Sequence, residues 1–142
     1  MSHYSRLEKM YLNANINTKM FTSTTAKISD SKAEIGLTIS DKHVHALGAI
    51  HGSVYFKLLD DAAYFAVSSI VKDYFVLTTS FNLNMIKPAN RGNLTAIGEV
   101  KFESKNLFIA KSKILNCKGE EIAFGIGNFS KSKIPLSKDI GY

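Results

Sequence analysis

The stretch GSVYFKLLDDAAYFAVSSIVK, residues 52–72, is apolar over most of its length and contains no proline. Because Lys57, Asp60 and Asp61 interrupt it, this stretch would make a poor membrane span. It is too long for a single strand, and its apolar residues cover most of the circumference of a helix. The pattern therefore predicts one long helix, from about residue 52 to residue 72, that the rest of the chain buries.

Segments with strand character lie on both sides of this helix. Before it, Thr24 to Ile39 alternates apolar and polar side chains, and Asp30-Ser31-Lys32 is a candidate break between two strands. Four segments rich in β-branched and aromatic residues follow it, Phe75–Ile86, Leu94–Glu103, Leu107–Leu115 and Glu121–Phe129. Short breakers separate them, which predicts an antiparallel meander of four consecutive strands. We therefore expect an α+β fold, an antiparallel sheet wrapped around one long buried helix.

The rest of the chain predicts a single domain over residues 1–142. A short amphipathic helix is expected at about residues 5–13, and a loosely ordered tail from about residue 134. The N-terminus lacks the apolar run of a secretory signal, and the single cysteine, Cys117, cannot form an internal disulfide. We therefore expect a cytoplasmic protein.

The net charge of +6 points to a polyanionic ligand, for which coenzyme A, nucleic acid and an anionic membrane surface qualify. The lysines are scattered, and no basic helix or aromatic RNA-binding motif accompanies them. The roughly 20 residues before the first strand are too few for a helix-turn-helix. Neither nucleic acid nor a membrane is therefore an expected partner.

The two carboxylates in the long helix are not equivalent. Asp61 falls on a narrow polar stripe with Lys57, and this i,i+4 pair of opposite charge gives Asp61 a structural explanation. Asp60 lies at the border of that stripe, with Phe56 and Val67 among its neighbours within two turns. Such surroundings would raise the pKa of Asp60 and suit it to act as a base or nucleophile. An exposed aspartate without a role is the competing interpretation.

The residues before the helix offer a hydrogen-bond donor. Gly52 begins the helix, where free backbone N–H groups point outward at the positive end of the helix dipole. An N–H in this position can stabilise a developing oxyanion. Taken alone, glycine before a helix is common, and His51 would more often be a loop or capping residue.

In combination these residues resemble the hotdog-fold acyl-CoA thioesterases, in particular the phenylacetyl-CoA-thioesterase-like (PaaI-type) branch. That family carries roughly Asn-x-x-Gly-x-x-His-Gly-Gly, followed by an apolar helix with Leu-x-Asp. Here the pattern reads His45-Ala-Leu-Gly48-Ala-Ile-His51-Gly52-Ser53 and then Leu58-Leu59-Asp60. The resemblance covers about residues 33–129, including the turn at residues 86–92.

The resemblance implies hydrolysis of an acyl-CoA, with no metal and no cofactor because coenzyme A is part of the substrate. It implies that the Gly52 N–H, assisted by His51, polarises the thioester carbonyl while Asp60 attacks it or activates a water. Thr78 matches a serine or threonine that relatives carry near that water, although a β-favouring residue in a strand is an equal explanation. His45 replaces the asparagine of the family. Ser53 replaces the second glycine of the family pattern and is a candidate for binding the substrate. Further candidates are Phe56, Tyr64, Phe81 and Met85 for the acyl group and Arg91 and Lys105 for the phosphates of coenzyme A.

The spacing of Gly52 and Asp60 predicts an oligomer. Eight residues along a helix correspond to a rise of about 12 Å, so the two groups of one chain cannot reach the same thioester carbon. An antiparallel dimer would bring the Gly52 end of one helix to Asp60 of the other, twice by symmetry. We expect a homodimer whose sheets join edge to edge, which can pair again into a tetramer.

Three alternatives remain open from the sequence. The first is a noncatalytic acyl-CoA sensor on the same fold, which the changes at His45 and Ser53 favour and the retained Asp60 opposes. The second is a hydratase on this fold, although the proline-containing histidine loop of such enzymes is not seen. The third is a metal site built from His43, His45 and His51, for which no carboxylate is placed to complete the shell.

Overall fold

The computed structural model describes residues 1–142, and its central element is the long helix α3 (Gly52–Ser68). The face of α3 that contains Leu58, Leu59 and Ala62 is at most 1% exposed. The helix ends at Ser68 and not near residue 72, because the Ser69 hydroxyl donates to the Ala66 carbonyl (2.6 Å) and satisfies a terminal acceptor. None of the helices is both long and apolar enough to cross a membrane.

Six antiparallel strands form one sheet over α3. They are β1 (Thr25–Ser29), β2 (Lys32–Thr38), β3 (Tyr74–Met85), β4 (Asn93–Glu103), β5 (Leu107–Leu115) and β6 (Glu121–Pro135), in the spatial order β1-β2-β4-β5-β6-β3. The predicted break at residues 30–32 is confirmed as the turn between β1 and β2, where Ser31 has a positive φ of 62°. The predicted α+β fold, a sheet wrapped around one long helix, is confirmed.

The predicted meander of four consecutive strands is wrong in one connection. β4, β5 and β6 form a meander, but β3 pairs with β6, and β4 pairs with β2. The segment 86–92 between β3 and β4 is longer than a hairpin turn and contains Pro88, so it carries the chain from one edge of the sheet to the interior. β3 is consequently an edge strand, and one side of its backbone has no partner in the chain.

A β-bulge interrupts β3 beside α3. Thr78 pairs with Phe129 and Ser80 with Asn128, so Thr79 is an extra residue without a partner. An extra residue reverses which side chains point inward. Thr78 faces the helix before the bulge, and Phe81, whose ring meets that of Phe56 at a centroid distance of 5.8 Å, faces it after the bulge.

The sheet and α3 approach each other closely at Gly98 in β4. A Cβ built on Gly98 would overlap the backbone of Ala62, so only glycine allows this separation. Nearby in β5, the buried hydroxyl of Ser112 donates to the Leu59 carbonyl at 2.7 Å. These two contacts fix the height and rotation of α3 at the turn that contains Asp60.

The N-terminal residues form two helices where one was predicted. Helix α1 (His3–Leu12) begins earlier than expected because Ser2 caps it, and α2 (Asn15–Lys19) was not predicted. The expectation of a loose tail from residue 134 is wrong. β6 continues to Pro135, and Tyr142 lies against α1, where its hydroxyl bonds the His3 ring at 2.6 Å.

Candidate active site

A cavity of about 1030 Å³ lies between α3 and the N-terminal helices. Its walls are largely apolar, and they come from α1, α2, α3, the start of β3 and residues 140–141. The volume is at the upper end of the range for small-molecule sites. Five of the predicted site residues line this cavity, namely Ser53, Phe56, Asp60, Tyr64 and Thr78.

Asp60 is a desolvated carboxylate held by one hydrogen bond. Thr78 donates to its Oδ1 at 2.8 Å, and no protein group donates to Oδ2. Burial raises the pKa of Asp60 from its ordinary value to about 6, while the bond from Thr78 opposes this shift. Asp60 is therefore ionised at neutral pH, is more basic than an ordinary aspartate, and has one oxygen free to react.

Asp61 belongs to a buried network and not to a solvated stripe. The Lys57 ammonium donates to Asp61 Oδ2 at 2.7 Å, as the sequence predicted, but also to Asn17 and Tyr11 of the N-terminal helices. The Tyr11 hydroxyl donates to the same oxygen of Asp61 at 2.6 Å. Burial and the charge of Asp61 raise the pKa of Tyr11, which keeps this hydroxyl protonated and donating. The polar stripe predicted from the sequence is thus covered by α1 and α2.

This burial makes Asp61 a residue with a large expected effect on stability. Asp61→Asn removes the carboxylate that directly pairs with the Lys57 ammonium, and only 11% of the Lys57 side chain is exposed. We expect the free energy of unfolding to fall by about 2–4 kcal/mol, as for a buried ion pair that loses one partner. Urea unfolding measures this loss. Asp73→Asn, at an exposed pair with Lys131, is the matched control and should cost less than about 1 kcal/mol. Equal costs for the two variants would contradict a buried role for Asp61.

The start of α3 lies at a second, smaller cavity of about 350 Å³, lined by His45, Gly52 and Met85 among others. The loop before it turns at Gly48, whose φ of 86° suits glycine. The Gly52 N–H has no acceptor within the chain. His51 caps the helix: its Nδ1 accepts the Ser53 N–H at 3.0 Å, which leaves the ring proton on Nε2, where no protein group accepts it.

The predicted site residues thus divide between two places on one chain. Asp60 and Thr78 lie at the large cavity, whereas Gly52 and His45 lie at the small one and His51 is exposed beside them. The His45 Nδ1 accepts the Leu47 N–H within its own loop, at 3.1 Å.

The two predicted phosphate ligands are also separated. Arg91 precedes β4 and Lys105 follows it, and both are exposed. A strand of 11 residues is roughly 35 Å long, so these cations lie far apart within one chain. One chain therefore cannot use both for the same phosphate group.

Sequence reasoning missed the contribution of the N-terminal helices to the cavity. Tyr11 and Asn17 are buried, and both contact Lys57. The helical spacing of Leu7, Met10 and Tyr11 indicated a buried face, which the structure confirms. That spacing did not reveal which part of the sheet or of α3 this face covers.

The structure contains no group of three or more His, Cys, Asp or Glu side chains that could hold a metal ion. His43 is buried and engaged with backbone groups of Met20 and Ser40, at 2.8 and 3.0 Å. The alternative of a three-histidine metal site therefore has no geometric support.

One long helix wrapped by an antiparallel sheet defines a hotdog fold. Solved structures with this architecture include the PaaI protein of the phenylacetic acid degradation operon of Escherichia coli, with a TM-score of 0.84 and 17% identity over 95% of this chain and 96% of that one. Thioesterase superfamily member 2 of zebrafish gives a TM-score of 0.80 and 14% identity over 93% of this chain and 100% of that one. At these identities the likeness establishes the fold.

The family follows from the sequence itself. A family model described as the thioesterase superfamily matches residues 47–123, more than half of the chain. The protein therefore belongs to the thioesterase superfamily, and the resemblance to hotdog-fold thioesterases is confirmed. No curated protein sequence matches the chain.

Proposed function

We propose that the protein hydrolyses an acyl-CoA thioester, with Asp60 as nucleophile or general base. The observation that carries this proposal is the state of Asp60, a carboxylate whose pKa burial raises to about 6 and whose Oδ2 is free at an apolar cavity. A residue poised in this way is typical of catalytic carboxylates. Membership of the thioesterase superfamily supplies the reaction class.

The separation of Asp60 from Gly52 supports an active site built by two chains. Thr78, beside Asp60, lies near the start of β3, and Met85, beside Gly52, lies at its end. If two β3 edges pair in antiparallel fashion about a two-fold axis near Phe81, the Thr78 end of one strand meets the Met85 end of the other. That arrangement would bring Asp60 of one chain to Gly52 of the partner subunit.

In such a site the groups take complementary roles. The free N–H of Gly52, helped by the exposed Nε2–H of His51, would polarise the thioester carbonyl at the positive end of α3. While Thr78 fixes its orientation, Asp60 either attacks the carbonyl carbon to form an anhydride that water then hydrolyses, or removes a proton from a water that attacks and passes this proton to the leaving thiolate. The carbon–sulfur bond breaks, coenzyme A leaves as a thiol after protonation, and water supplies the hydroxyl of the free acid.

The remaining candidates differ in their position relative to the start of α3. Arg91 lies at the same end of the sheet as Gly52, where the phosphates of coenzyme A would emerge, and Lys105 lies at the opposite end. His45 and Ser53, the two departures from the family pattern, both border the start of α3. From these positions the side chains of His45 and Ser53 could contact the thioester directly or through a water molecule.

A hydrolysis screen across acetyl-, hexanoyl-, decanoyl- and phenylacetyl-CoA tests the proposal directly. Release of free thiol by the purified protein, at a kcat/KM within the ordinary range of enzymes, is the expected result. Binding of acyl-CoA without any release of thiol would instead favour a noncatalytic sensor on the same fold.

The pH dependence of this activity follows from the pKa of Asp60. Only the carboxylate can attack or accept a proton, so kcat/KM should fall below a pKa of about 6, by roughly tenfold per pH unit. An ordinary aspartate would keep its activity to about pH 4. A pH profile of kcat/KM measures the midpoint, and Thr78→Val, which removes a bond that lowers this pKa, should move it upward. A flat profile down to pH 4.5 would contradict the assignment.

A further inference from the structure

The cavity beside Asp60 extends well beyond the reacting group. A thioester needs room for one carbonyl at Asp60, whereas the cavity measures about 1030 Å³. Part of its lining comes from α2, and its exposed apolar side chains lie on α2 and the residue after it, on α3, on β3 and near the C-terminus, at Ile16, Met20, Phe56, Leu77 and Ile140. Ile16 is 48% exposed, Met20 50% and Phe56 42%, and all three line the cavity. Exposed apolar surface around one cavity is available for an apolar ligand.

The wall formed by α2 is fixed and not loosely attached. Its only buried residue, Asn17, donates to the Tyr11 carbonyl at 2.8 Å and accepts from the Lys57 ammonium at 2.8 Å. The same ammonium lies 4.6 Å from the centroid of the Phe21 ring, in the segment that follows α2. One cation of α3 therefore holds this wall at a set distance, and the cavity is preformed.

The polar groups at this wall are already satisfied by one another. The three donated bonds of Lys57 use Asp61, Asn17 and Tyr11, and no buried side-chain nitrogen or oxygen lacks a partner. The wall thus offers no unpaired buried donor or acceptor to a polar ligand, while its apolar side chains offer surface to an apolar one.

We propose that the cavity between α2 and α3 binds the acyl group of the substrate and selects apolar acyl groups much larger than acetyl. This inference rests on the proposed hydrolysis of acyl-CoA, with Asp60 at the thioester end of the cavity. Each additional buried methylene contributes about fourfold to transition-state binding until the cavity is filled. kcat/KM is therefore expected to rise at least about tenfold from acetyl-CoA to decanoyl-CoA.

A pair of neighbouring substitutions tests the location of the acyl group. Ala14, the N-cap residue of α2, and Asn15, its first residue, are both exposed, but only Ala14 belongs to the cavity lining. Ala14→Phe should place a ring in the cavity and lower the ratio of kcat/KM for decanoyl-CoA to that for acetyl-CoA by tenfold or more. Asn15→Phe adds the same ring to the outside of the same helix and should leave the ratio unchanged. Equal ratios in the two variants would overturn the proposal.

Binding measurements separate this inference from the catalytic one. S-ethyl-CoA and S-decyl-CoA are thioethers that cannot be hydrolysed, and calorimetry gives their dissociation constants for the wild type and for Ala14→Phe. Tighter binding of S-decyl-CoA that Ala14→Phe abolishes would support the acyl cavity even if no thioester were hydrolysed. Hydrolysis of acyl-CoAs without any preference for chain length, together with equal binding of the two thioethers, would overturn the acyl cavity and leave the proposed hydrolysis standing.

Discussion

Asp60→Asn is expected to lower kcat for the best acyl-CoA by at least about a hundredfold while the protein stays folded. The amide has the size of the carboxylate and keeps an oxygen that can accept the Thr78 hydroxyl, so the local packing is preserved. It can neither attack a carbonyl nor accept a proton from water. Thiol release measures the loss, and circular dichroism checks the fold.

The control for this variant is an exposed aspartate that does not line the cavity. Asp73→Asn removes an exposed carboxylate that pairs with Lys131, and its kcat should stay within about twofold of the wild type. If Asp60→Asn were as active as Asp73→Asn, Asp60 would not be the catalytic group.

Asp60→Asn, which lowers activity, is expected to raise the stability of the folded protein. Because the pKa of Asp60 is raised in the folded state to about 6, the folded protein holds this proton more tightly than the unfolded chain does. The carboxylate therefore lowers stability as the pH rises from about 4 to about 6 and remains a cost above that range. Asp60→Asn should melt at a higher temperature than the wild type at pH 7.5, and the difference should shrink toward pH 4. A variant that loses activity but gains stability is difficult to explain by misfolding.

Gly52→Pro is expected to lower kcat by about a hundredfold to a thousandfold, as for the loss of one oxyanion donor. Gly52 is the first residue of α3, where proline is tolerated because its missing N–H has no acceptor in the helix. The preceding residue, His51, has the extended conformation that proline requires, with a ψ of 147°. A Cβ at this position would meet only the Met85 side chain, at an ordinary 3.5 Å.

The contrast with alanine isolates the N–H group. Gly52→Ala adds a Cβ in the same place but keeps the N–H, so it should retain far more activity than Gly52→Pro. Both variants are to be compared on kcat and on melting temperature. Similar kcat values for the two would show that the N–H does not contribute to the reaction.

Mixing two inactive variants tests whether the site spans two chains. Each proposed site combines Asp60 of one chain with Gly52 of the other. In a dimer of one Asp60→Asn chain and one Gly52→Pro chain, one site therefore contains both substitutions, and the other site contains an unchanged Asp60 and an unchanged Gly52. Random assortment from equal amounts should then restore about a quarter of the wild-type activity. Sedimentation velocity confirms the dimer in the same sample. A mixture that stays inactive although heterodimers form would place both groups of each site in one chain.

The fold was largely predictable because its central element has a strong local pattern. The buried helix, the break at residues 30–32 and the α+β arrangement follow from periodicity and turn residues. The position of β3 was not predictable in this way, because the partner of an edge strand depends on long-range contacts. The bulge at Thr79 was also not predictable from the sequence. Without a bulge, regular alternation places Thr78 and Phe81 on opposite faces of the sheet, whereas in the structure both face the helix.

The sequence singled out residues of the candidate site but not all of their contacts. Thr78 donates to Asp60, a contact that the sequence alone did not predict. The predicted pair of Asp61 with Lys57 is confirmed, but a helical projection shows which residues share a face and not what covers that face. Tyr11 and Asn17 cover it, and the i,i+4 pair is accordingly part of a buried network.

The close approach at Gly98 has a consequence for tolerance to mutation. A side chain there must push against the backbone of Ala62, which lies two residues after Asp60 in α3. If every substitution at each position were assayed for activity alone, substitutions at Gly98 and at Asp60 would both abolish activity, although Gly98 has no reactive group. The amount of protein in the cell would distinguish the two positions. Variants at Gly98 should be degraded, whereas variants at Asp60 should accumulate as folded but inactive protein.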